Sequence, residues 1–141
     1  MKTPDVWDEN QSSQRQDKRY LARWKVALVF NSSANKPVYQ TLTHDLSHTG
    51  TSVQYLTEEK INTALTLLLS PPPIDGVDQK IIRLKAEVKS CVPFRGGYRL
   101  GMSFIRDAES DKLPAILEMY AISDGQLASH PDADEFPTLN L

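Results

Sequence analysis

Two arginines and an Asp-Ser-Gly turn are the residues of this chain whose types and spacing can do chemistry. In Arg19-Tyr20-Leu21-Ala22-Arg23 the guanidinium groups stand four residues apart just ahead of an apolar run, and Asp45-Leu46-Ser47-His48-Thr49-Gly50 closes the next run. Arg offers a rigid fork of donors that suits phosphate oxygens or the acceptor edge of guanine, Asp is an acceptor, and Ser serves as either. The spacing keeps both Arg side chains on one face of a strand or a helix. Each half also has an ordinary reading. Spaced arginines are common on solvated faces, and Asp-x-Ser-x-x-Gly is a common way to write a turn, with Gly supplying positive φ. Their order favours a shared site for a compact anion, because the Arg pair precedes the first strand-like run and the turn lies between the second and third.

On these residues the chain resembles the PilZ domains, bacterial receptors for the second messenger cyclic di-GMP. That family is marked by an Arg-x-x-x-Arg arm and an Asp/Asn-x-Ser-x-x-Gly turn about one hairpin apart, matched by Arg19/Arg23 and Asp45/Ser47/Gly50. A looser match is Tyr98-Arg99-Leu100-Gly101-Met102-Ser103-Phe104, similar to the Gly-x-x-Phe strand near the end of such domains. The resemblance covers residues 15–122, divided into an arm (15–23), a barrel (24–105) and a C-terminal helix (110–122).

The resemblance implies that Arg19 and Arg23 contact cyclic di-GMP from the arm, at its phosphates or at a guanine O6/N7 edge. Asp45 would accept from guanine N1 and N2, Ser47 would bond base or phosphate, and Gly50 would shape the turn and permit close approach. Lys18 stands where the family sets how many ligand molecules stack, and Lys adds charge without the planar surface of Arg. Some relatives stack an aromatic on guanine; Cys91 and Val92 occupy that neighbourhood here, with Phe94 and Tyr98 as substitutes. No cofactor or metal is implied. The expected output is regulation of a downstream protein in motility, adhesion, exopolysaccharide export or virulence. An exposed, unstructured arm would couple its own ordering to binding.

The elements that must hold these residues follow from hydrophobic period. Trp24–Phe30, Val38–Thr43, Thr51–Leu56, Ala64–Ser70, Ile81–Val92 and Tyr98–Ile105 read as strands. Asn31–Pro37, Pro71–Gln79 and Arg95-Gly96-Gly97 read as breaks. Six strands at hairpin spacing, with no helical crossover, predict an all-β fold, a six-stranded antiparallel barrel whose closure removes its edges. Ser110–Leu113 can open a helix in which Leu113, Ile116, Leu117, Tyr120 and Ala121 face the barrel, with Gly125 near its end. Residues 1–14 read as a flexible leader and 123–141 as a mobile acidic tail.

Composition narrows the alternatives. The 141 residues suffice for one domain, and 16 Lys plus Arg against 18 Asp plus Glu gives a net charge of -2, so no overall field favours a nucleic-acid polymer. The single Cys91 cannot close an internal disulfide, which suits a reducing compartment. No secretory signal or membrane-length apolar run is legible, so the expectation is a cytoplasmic protein without membrane insertion. His44 and Asp45 have the residue types of an adjacent metal-ligand pair, but a hydrolytic centre needs more ligands and only His48 and His130 remain among histidines. An enzyme is therefore not expected. The competing readings are a PilZ-like adaptor that contacts proteins without nucleotide, and a small barrel for RNA or single-stranded DNA, which would need a basic groove with exposed aromatics.

Overall fold

The computed structural model describes residues 18–31, 38–74, 80–123 and 125–130. The expected leader (1–14) and the 131–141 part of the expected tail lie outside the described residues. In chain order the elements are β1 (Tyr20–Leu21), β2 (Lys25–Phe30), β3 (Tyr39–Leu46), β4 (Gly50–Tyr55), β5 (Ala64–Ser70), β6 (Ile82–Phe94), β7 (Gly97–Phe104), α1 (Ala108–Asp111), α2 (Leu113–Tyr120), β8 (Ala121–Ser123) and β9 (Gln126–Leu127).

Strands β2, β5, β6, β7, β4 and β3 are neighbours in that order, and a β2–β3 pairing closes the ring. All six of these pairings are antiparallel, so the expected barrel is formed. Alternation places Val26, Leu28 and Phe30 of β2, Ile82, Leu84, Ala86 and Val88 of β6, and Leu100, Met102 and Phe104 of β7 in one buried core. Leu28, Leu65, Leu67, Leu84 and Leu100 have no exposed surface. Each such side chain is stabilised by roughly 2 kcal/mol relative to exposure, more than a surface ion pair supplies at about 0–1 kcal/mol. Between β6 and β7, Arg95 (φ 51°) and Gly96 (φ 79°) form a two-residue turn of the primed kind whose twist matches the strands it joins, and Gly97 already pairs with Phe94.

The C-terminal helix differs from expectation. The cap lies at Asp107, whose side chain accepts from the Ser110 backbone N–H at 2.9 Å while Ser110 Oγ accepts from the Asp107 N–H at 2.9 Å. This capping box starts the helix upstream of Ser110. Pro114 has no N–H to continue the ladder, and the helix is interrupted at Lys112. Leu113, Leu117 and Tyr120 then join the barrel core, and the backbone turns extended at Ala121. Gly125 (φ 78°) does not end this helix but turns β8 into β9.

Two further expectations are corrected. The described part of the arm is not unstructured: Tyr20 and Leu21 pair with Leu46 and Asp45 of β3, and Leu21 pairs in parallel with Gln126 of β9. Nor does the described part of the expected tail, 125–130, hang free of the barrel, because Leu127 is fully buried and His130 is 8% exposed. Of the four acidic residues in 123–141, three, Asp132, Asp134 and Glu135, lie after this packed piece in the sequence.

Candidate functional site

Asp45 is the centre of the site, and a bulge puts it there. In the β3–β4 ladder Thr43 pairs with Val53 and Asp45 with Ser52, so His44 is an extra residue on β3. A bulge breaks strict alternation and re-aims the side chains beside it. A second bulge lies on β6, where Val88 pairs with Met102 and Ser90 with Gly101, leaving Lys89 as the extra residue. Asp45 and Lys89 line one open concavity of about 400 Å³, together with Arg19, Ser52, Arg99 and Gly101.

Within it, Asp45 Oδ1 accepts from Ser52 Oγ at 3.1 Å and from Arg19 Nη1 at 3.4 Å, and Oδ2 accepts from Arg99 Nη2 at 3.2 Å. Arg99 Nε also donates to Ser52 Oγ at 3.3 Å. The Asp45 side chain is 17% exposed, against 59% for Arg19 and 39% for Arg99. The carboxylate is thus held from the barrel by Ser52 and Arg99, while Arg19, largely exposed, reaches it directly from the arm. Gly101 lets the Ser90 hydroxyl lie close against β7, since a Cβ there would collide with Ser90 Oγ.

The other expected residues are placed differently. Arg23 is half-buried and does not line this concavity; its charge is felt at His44. Lys18 is exposed, with Nζ 5.4 Å from the centre of the Tyr20 ring. Ser47 is fully buried, and its Oγ accepts from the backbone N–H groups of Thr49 and Gly50 at 3.2 and 3.1 Å. That is the local bonding of a turn. Gly50 is required for a reason other than the positive φ that the turn suggested: a Cβ there would collide with the Met102 carbonyl oxygen on β7.

His44 stands beside the site with its ring edge-on to Phe94, centroids 4.8 Å apart. Burial first, and the neighbouring charge of Arg99 second, push its imidazole down to about 4, so it is neutral at physiological pH. The Phe94 ring also lies under the Arg99 guanidinium at 5.9 Å, whereas Val92, in the neighbourhood expected to hold a stacking residue, lines the concavity.

Arg99, Lys89 and Ser52 are not among the site residues expected from the sequence. A signal for Arg99 was present: with Leu100, Met102 and Phe104 inward, alternation turns Arg99, Gly101 and Ser103 to the outer face. Lys89 carried no such signal, because its position depends on the bulge.

The family profile described as PilZ domain matches residues 13–120, and the chain belongs to this family. Domains of the family are receptors or adaptors rather than enzymes. Among solved structures, the chain is similar to the Bacillus subtilis inhibitor of motility MotI/DgrA, with 18% identity and a TM-score of 0.61 over 74% of this chain and 48% of that one. It spans about half the length of MotI/DgrA. It is also similar to the PilZ domain of YcgR from Escherichia coli with c-di-GMP, with 13% identity and a TM-score of 0.51 over 75% of this chain and 90% of that one. At these identities the likeness is one of fold. A search of curated proteins finds no match. Among the described residues no helix is long and apolar enough to cross a membrane.

Proposed function

We propose that the chain is a cyclic di-GMP receptor that regulates a protein partner. The observation that carries this reading is the convergence of Arg19 and Asp45, 26 residues apart in sequence, on one concavity whose other charged walls are Lys89 and Arg99. The ligand has two phosphodiesters and two guanines. Arginines can fork onto a phosphate, grip a guanine O6/N7 edge or stack on a base, and a carboxylate can accept from guanine N1 and N2.

Asp45 already has partners, so a guanine must compete for it. The Arg19 link is the one that gives way: Arg19 is exposed, and such pairs contribute only about 0–1 kcal/mol. Released, Arg19 turns to the phosphate or base, while Ser52 and Arg99 keep Asp45 in place. Arg23 closes the arm from the His44 side. Ser47 and Gly50 act as site residues by fixing the turn that carries Asp45, and Lys18 adds charge at the entrance of the arm. The receptor performs no chemistry and works in the cytoplasm, where its output is a changed arm surface offered to a partner in motility, biofilm formation or a related process.

Calorimetric titration with cyclic di-GMP and, separately, with a single-stranded oligonucleotide tests the reading. Saturable binding of the dinucleotide alone is expected. Binding of the oligonucleotide alone would replace this reading with a nucleic-acid module, and binding of neither would leave a protein adaptor.

A further inference from the structure

The arm that carries Arg19 and Arg23 is held on its outer side by a segment that the family match, ending at Tyr120, does not include. Strand β1 has two residues, too few to hold an arm in register alone. Beside it runs Gly125–His130. The Leu21 N–H donates to the Gly125 carbonyl at 2.9 Å, the Arg23 N–H to Ser129 Oγ at 3.0 Å, and the Trp24 indole N–H to the Ala128 carbonyl at 2.7 Å. In return the His130 N–H donates to the Arg23 carbonyl at 3.4 Å. Both backbone polar groups of Arg23 are therefore bonded to this segment.

The segment is in turn fixed to the body of the protein. Leu127 is fully buried in the core cluster. The Ala128 N–H donates to the carbonyl of Tyr120 at the end of α2 at 2.8 Å. The His130 ring Nε2 lies 3.0 Å from the Ser70 carbonyl of β5. Trp24 and Tyr120 pack edge to face, 5.0 Å between centroids, beneath the same segment.

We propose that Gly125–His130 is a strap that mounts the arginine arm on the barrel, and that Ser129 is a positioning residue for the ligand site through the backbone of Arg23. The part concerning ligand affinity rests on the cyclic di-GMP reading; the part concerning the arm does not. A guanidinium displaced with its backbone loses the alignment that a forked contact requires, so the strap sets affinity without touching ligand.

The test compares wild type, Ser129→Ala and Ser129→Thr, measuring backbone hydrogen exchange without ligand and cyclic di-GMP affinity by calorimetry. In Ser129→Ala, exchange over residues 20–24 should accelerate while residues 113–120 stay as protected as before. Affinity should fall about fivefold, the effect of one neutral hydrogen bond. Ser129→Thr, which keeps the hydroxyl, should restore both. Unchanged arm exchange in Ser129→Ala overturns the strap. Faster arm exchange with unchanged affinity overturns the positioning role. If wild type itself binds no cyclic di-GMP, the ligand reading and the positioning role fail together, and the exchange data alone decide the strap.

Discussion

The Asp45 carboxylate has three side chains on it, and they are not equivalent. Ser52 and Arg99 belong to barrel strands, whereas Arg19 belongs to the arm. Replacing Arg99 by Ala should therefore weaken cyclic di-GMP binding about tenfold or more, the effect of one charge-assisted bond at about 1.5–3 kcal/mol. Folding stability should drop by less than about 1 kcal/mol, since the side chain is 39% exposed. Calorimetry and urea denaturation of the same variant check the two numbers. At His44 the relevant variable is pH. Its folded value is about 4 against an ordinary 6.5, so between those values the unfolded chain takes up a proton that the folded one refuses. Stability contributed by the neutral imidazole is thus present above about pH 6.5 and is lost as pH falls toward 4. Melting temperatures measured across this range should fall more steeply for wild type than for His44→Asn; parallel curves would place the acid sensitivity elsewhere.

At the scale of elements, the strands were legible because inward positions repeat every second residue in a closed sheet. Ile82, Leu84, Ala86 and Val88 alternate in sequence and are all buried. The bulges at His44 and Lys89 were not legible. Each inserts one residue into a pattern that is otherwise regular, and only the register of the facing strand reveals it. Ser110 has the residue type of a cap and draws the expected start of the helix downstream, while the capping box makes it the third helical residue behind Asp107. The two glycines facing β-sheet neighbours give a contrast that can be measured. A methyl at Gly50 meets backbone, the Met102 carbonyl, and a methyl at Gly101 meets the end of the Ser90 side chain, which can rotate away. Gly50→Ala should cost about 1–3 kcal/mol and Gly101→Ala clearly less in denaturant titrations. The reverse order would contradict the close approach of β4 and β7.

Across the whole molecule, a net charge of -2 conceals a local excess of cations. Arg19, Lys89 and Arg99 surround one carboxylate in the same concavity, so attraction for a doubly charged ligand arises at the site rather than from the overall field. The sequence carried half of this arrangement, in Arg19 and Asp45, because those residues sit in motifs with fixed spacing. The other half comes from β6 and β7, whose contribution depends on barrel closure. The packed strap was hidden for a related reason, since Gln126–His130 has little apolar content of its own and is held by hydrogen bonds to the arm and to the Trp24 indole. In the proposed complex, cyclic di-GMP seats against Asp45 between the arm and strands β4, β6 and β7. Backbone amide NMR shifts recorded through a titration to saturation test it most directly. The largest changes are expected at Arg19–Arg23, Asp45, Ser52 and Arg99; saturable changes confined to the opposite wall of the barrel, or none at saturating ligand, would overturn this placement.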